Sequence, residues 1–143
     1  MKITYQNFST LLFSLVIISC SQDKVKEEAL YNQVMEVHDE VMPEMGSLIK
    51  LTKKLKNELD SVMSNDVENQ EELTKNVNQL IKDLEEANES MMQWMRDFEL
   101  LEEGTPHGEV MQFLLEEKRK VDEVKRKMLE AKDNAEKYFL KDQ

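Results

Sequence analysis

Thioether and imidazole side chains are the groups in this sequence best placed to do chemistry. Met35, His38, Met42 and Met45 step by three, four and three, which on a helix aligns them along one stripe. A second group, Met91, Met92 and Met95, surrounds Trp94, so six of the nine methionines beyond Met1 fall in two short stretches. Thioether sulfur and imidazole nitrogen are soft donors that suit Cu(I) or Ag(I), and an indole face can cover a bound cation. The plainer use of the same residues comes first. Methionines fill irregular core layers, and His38 is satisfied by Glu117 or another carboxylate. A third reading, ranked last, is a bundle that holds a hydrophobic ligand or heme, with His38 and a methionine as axial ligands.

Other chemistry is excluded by inventory. The chain has two histidines and one cysteine, no glycine-rich phosphate loop and no Ser-His-Asp spacing, so no enzyme is expected. Carboxylate pairs are abundant, as chance supplies them on any acidic helical surface. The Met-x-x-His spacing resembles that of periplasmic copper- and silver-binding proteins.

The start of the chain has a different character. Lys2 is followed by a polar stretch to Thr10 and the apolar run Leu11 to Ile18, the order of an export signal. The run is too short for a bilayer core of roughly 30 Å. Ile17-Ile18-Ser19-Cys20 resembles a bacterial lipobox, which implies cleavage after residue 19 and diacylation of the Cys20 thiol. The alternative is an ordinary secretory signal with an incidental cysteine. Two or more acyl chains give stable anchoring where one is marginal. Because Cys20 is the only cysteine, no internal disulfide can form. Removing residues 1–19 takes away only Lys2 among the charged residues, leaving 18 basic against 30 acidic residues, a net charge of −12. Nucleic acid and anionic headgroups repel such a chain, so its expected membrane contact is the lipid anchor.

Three glycines and two prolines among 143 residues, with helix-forming residues at most positions, point to an all-α fold. Leu30, Val34, Val37, Val41, Leu48, Leu51, Leu55 and Val62 trace a first amphipathic helix over about 23–64. Asn65 and Asp66 offer caps for a second over about 66–102, with Glu68 completing a capping box. Its seam runs Leu73, Val77, Leu80, Leu84, Ala87, Met91, Trp94, Phe98, Leu101. Gly104, Thr105 and Pro106 mark the next turn, and Val110 to Tyr138 trace a third helix over about 106–140. In that stripe Glu117 alone is charged. The expected architecture is an elongated, coiled-coil-like antiparallel three-helix bundle over 29–140, tethered through 20–28.

Two turns, near residues 65 and 104, fix the expected register. Residue i of the first helix then faces 130 − i of the second, so His38 faces Met92, Met35 faces Met95, and Glu117 reaches the same layer. Pro43 lacks an N–H and crowds the carbonyl four residues back, so a kink is expected at Met42-Pro43, loosened further by Gly46. His107 is expected to be a solvated loop residue.

The stretches Val37-His38-Asp39-Glu40-Val41-Met42-Pro43-Glu44-Met45-Gly46 and Met91-Met92-Gln93-Trp94-Met95-Arg96-Asp97-Phe98 resemble a group of small Bacteroidetes lipoproteins, some labelled viral A-type inclusion proteins for their coiled-coil character. The resemblance covers most of the chain beyond Cys20 and implies a helical envelope lipoprotein, with no activity attached. The sequence therefore predicts a lipid-anchored, non-enzymatic module at the outer membrane or elsewhere in the envelope. It would act as a spacer or scaffold by contact with an envelope protein or by self-association.

Overall fold

A computed structural model describes the backbone of residues 8–65 and 68–141 and the side chains of residues 22–65 and 68–140. The segment 1–7, the expected cap Asp66 and the side chain of Cys20 lie outside the described residues. Four helices follow one another: α1 (Phe8–Val41), α2 (Glu44–Ser64), α3 (Gln70–Asp97) and α4 (His107–Lys141). The described residues contain no strand. α1 and α2 form one rod bent at Met42-Pro43, so the architecture is a helical bundle of three rods.

The bend has the expected cause. Met42 N–H still bonds His38 O at 2.8 Å, but Pro43 has no N–H to continue the ladder. α2 then restarts at Glu44, with Met45 N–H bonded to Met42 O at 3.2 Å. Ion pairs between rods give their directions. Lys125 reaches Glu40 and Lys132 reaches Glu44, both at 2.6 Å, so α4 climbs alongside the first rod. Lys56 reaches Glu85 at 2.7 Å and Val62 O accepts from Gln70 Nε2 at 2.9 Å, so α3 runs back against α2.

All three rods share one apolar seam. Val34, Val41, Leu48, Leu55, Val77, Leu84, Met91, Val121 and Met128 are at most 1% exposed. Full burial of each such side chain contributes about 1.5–3 kcal/mol. Ile81 is buried while Leu80 is only partly so, because the α3 face toward α2 turns slightly from the expected stripe.

The ends of the helices depart from expectation in three places. The second helix starts at Gln70, after Asn69 in the left-handed conformation (φ 63°), instead of at 66. Gln70 Nε2 bonds back to Val62 O at 2.9 Å, and Asn65 Nδ2 caps the end of α2 through Ser61 O at 2.8 Å. α3 also stops at Asp97, not 102. Phe98 turns to an extended conformation (φ −75°, ψ 100°) and stacks against Tyr31, Trp94 and Phe113 with centroids 6.4, 5.0 and 6.1 Å away. Leu101, expected on the seam, is 41% exposed as a result. The third departure is the start: the helix expected from 23 is already running at Phe8 in α1, so the whole of the tether expected at 20–28 is helical, which the Lys and Glu content of 22–28 favours and no Gly or Pro opposes.

Two predictions concern the bend. Gly46 sits in the first turn of α2, and a Cβ built there meets nothing within 4 Å. Gly46→Ala is expected to raise unfolding free energy by about 0.5–1 kcal/mol in urea titrations, through lost unfolded-state entropy. The Lys132 hydrogen bond holds Glu44 below its ordinary value of 4.5, burial opposing it. The pair's contribution is therefore complete above pH 4.5 and fades as pH falls through the folded value. Glu44→Gln should cost under about 1 kcal/mol at neutral pH, and melting curves of the two proteins should converge in acid.

Candidate functional site

Glu117 is the charged break in the α4 stripe, and it is 4% exposed. A carboxylate so placed needs donors. Trp94 Nε1 on α3 donates to its Oε2 at 3.0 Å, and Lys120 Nζ, one turn along α4, donates to its Oε1 at 2.8 Å. Each oxygen thus receives a hydrogen bond. Lys120 reaches in from a half-exposed position, and its ammonium is held above its ordinary value chiefly by this bond, against some desolvation.

His38 lies on the other side of the indole. Its ring stands 5.6 Å from the Trp94 ring, tilted by 36°, and its side chain is 14% exposed. Its Nδ1 lies 2.8 Å from Asp39 Oδ1. The carboxylate that satisfies the histidine is thus its exposed neighbour, while Glu117 is engaged by the indole. Through Trp94, three elements meet at one level: α1 by His38, α3 by Trp94 and α4 by Glu117. His38 stands over Trp94, two positions from the residue the simple register names.

The methionines divide by environment. Met91 is fully buried in the core, and Met45 and Met95 pack partly buried against it. Met35 is partly buried. Met42, at the bend beside exposed Pro43, is 48% exposed, and Met92 is 38% exposed. Among the described residues no group of three or more His, Cys, Asp and Glu side chains is arranged to hold a metal ion. Soft-metal binding here would rest on thioethers with His38.

Sequence reasoning missed a second histidine contact. His107 opens α4 and is no solvated loop residue. It lies one-third exposed, with Nδ1 2.6 Å from Glu27 Oε1 and Nε2 3.5 Å from Asp23 Oδ1, both on α1. The contact pins residues 23–27 to the turn before α4, where Gly104 takes φ +94°. Eighty residues separate the partners. Only the i, i+4 spacing of Asp23 and Glu27 hints at it in the sequence.

Trp94 is the chain's only tryptophan, so its emission reports on this layer directly. Glu117→Ala is expected to lower unfolding free energy by about 2–4 kcal/mol, from the void and the stranded indole N–H, and to shift Trp94 emission to the red. Glu117→Gln keeps an acceptor and should cost less than half as much. Equal losses in urea titrations would show that the hydrogen bond contributes nothing beyond volume. Compared with protein-family models, with curated proteins and with solved structures, the chain matches none.

Proposed function

We propose that this chain is a lipid-anchored, non-enzymatic helical module of the cell envelope, acting by protein contact from a fixed distance above the membrane. The single observation that carries this reading is Ile17-Ile18-Ser19-Cys20 after an apolar run. The helical rod that begins beside it supports the reading in two ways. Residues from Gln22 onward continue directly into the bundle, so a lipid on Cys20 would hold a rigid rod. The His107 contact with Asp23 and Glu27 ties the start of α4 to the first turns beyond Cys20, stiffening the base. No helix among the described residues is long and apolar enough to cross a membrane.

The His38 layer lies about 18 residues beyond Cys20, or about 27 Å along the helix. The charge of the chain disfavours contact with anionic lipid along that length. A buried tryptophan–carboxylate bond with each oxygen satisfied is a structural arrangement. It offers no polar group free to act on a substrate.

A second reading, a Cu(I) or Ag(I) site, draws on the exposed thioethers of Met42 and Met92 near the His38–Trp94 pair. Cu(I) added to the purified protein should then quench Trp94 emission at one equivalent, and His38→Ala should abolish the effect. Quenching that is absent or unchanged in that variant rules the site out.

The anchor reading is tested by mass spectrometry of the protein from its native membranes. The expected product begins at Cys20 with two or three acyl chains, and Cys20→Ser should release the chain to the soluble fraction. An N-terminus other than Cys20, or an unmodified thiol, overturns it.

A further inference from the structure

Between the end of α3 at Asp97 and the start of α4 at His107, the connecting loop lies against the 23–31 stretch of α1 and leaves a cavity of about 580 Å³. Small-molecule sites span roughly 300–1,000 Å³. The floor of the cavity is apolar: Leu114 is buried, and Tyr31, Val110 and Phe113 are half-buried. Phe98 stacks on both Tyr31 and Phe113, with centroids 6.4 and 6.1 Å away, which holds the two lining rings in place. Leu100 and Leu101, 58% and 41% exposed, add an apolar lip from the loop.

The mouth above that floor is acidic. Asp23, Glu27, Glu28, Glu102 and Glu103 line it, against Lys24 and His107. Part of this charge is already engaged. His107 lies 2.6 Å from Glu27 and 3.5 Å from Asp23, and Lys26 lies 3.6 Å from Asp23. Glu28, Glu102 and Glu103 are exposed and make no ion pair among the described residues. Lys24, one turn before Glu28 on α1, is the lining base outside those pairs. Even set against Glu28, it leaves the two loop carboxylates uncompensated.

We infer that this cavity is a binding site for a small organic cation with an apolar body, an amine or quaternary ammonium that carries an aromatic or branched alkyl group. The body leaves water against Tyr31, Val110, Phe113 and Leu101, and the positive charge stays at the mouth near Glu102 and Glu103. A neutral ligand would leave those carboxylates without a counter-charge, and an anion would be repelled by them. A phospholipid headgroup does not suit the same arrangement, because its phosphate would sit beside its ammonium at the acidic mouth. The site goes beyond contact with a protein, and it does not depend on the lipid anchor.

The test is a titration of benzyltrimethylammonium into the full chain in a mild non-ionic detergent, followed by amide NMR. Saturable shifts at Gly104, Thr105 and His107 are expected, with one cation per chain. Phenylmethanesulfonate, similar in shape and opposite in charge, should shift none of them. Glu28→Gln, Glu102→Gln and Glu103→Gln combined should weaken the cation about tenfold through lost exposed charge contacts, with helical circular dichroism unchanged. Leu101→Ser, which alters no charge, should weaken it about threefold. Asp60→Asn, Glu71→Gln and Glu72→Gln combined remove the same charge near the α2–α3 turn and should leave binding intact. Equal binding of the two probes, shifts that never saturate, or undiminished binding by the triple glutamine chain or by Leu101→Ser overturns the site. Each of those failures would leave the anchor reading standing, since none of them bears on Cys20.

Discussion

A carboxylate placed in an apolar seam constrains everything around it. Glu117 is 4% exposed, and desolvating an unpaired carboxylate there would cost several kcal/mol. It is tolerated because Trp94 and Lys120 each donate to one oxygen. Sliding α3 by a turn against α4 would remove the indole and strand the charge. The apolar residues of the seam are much alike from layer to layer and would accept such a slide at modest cost. The Glu117–Trp94 bond therefore selects one register among several that the hydrophobic pattern permits, and the indole carries that choice to His38 on α1. The ion pairs between rods join α4 to the first rod and α2 to α3. They are exposed or half-exposed, and each contributes under about 1 kcal/mol.

With that register fixed, the surface follows. The apolar seam is closed by three rods, and the side chains one step around α2 and α3 are left outside. Ile49, Met42 and Met92 are exposed for this reason, and not because α2 or α3 is loosely packed. The bend at Pro43 keeps α2 against α3 and α4 after α1 has run along α4. The contact of His107 with Glu27 and Asp23 holds the opposite end of the rod. A module proposed to act by contact at a set height gains from both, because the exposed face is held in one orientation.

Much of this was legible in the sequence. The three stripes could be read because period-3.6 spacing persists along each rod, and Pro43 interrupts it only where the bend occurs. Glu117 was visible as the one charged residue in its stripe, and the length of the turns brought it to the layer of His38 and Trp94. The details that failed depend on long-range contacts. Apolar spacing continues through Leu101, so nothing local shows that α3 ends at Asp97. That end is imposed by Phe98 stacking between Tyr31, Trp94 and Phe113. His107 looked like a loop residue because its carboxylate partners are eighty residues away. Of the residues expected to be a tether, 23–28 were also placed in the first helix, and their helix propensity together with that same contact keeps them in α1. Of the carboxylates open to His38, Glu117 or another, the one it meets is its neighbour Asp39, because the Glu117 oxygens are taken by Trp94 and Lys120.

Hydrogen exchange at the Trp94 indole N–H, followed by NMR, tests the central claim most directly. With the indole bonded to a buried Glu117, its proton should exchange only through global unfolding, as slowly as the most protected core amides, and that protection should vanish in Glu117→Ala. An indole proton that exchanges freely in the wild-type protein would mean the bond does not hold the register, and the account of the layer would fail with it.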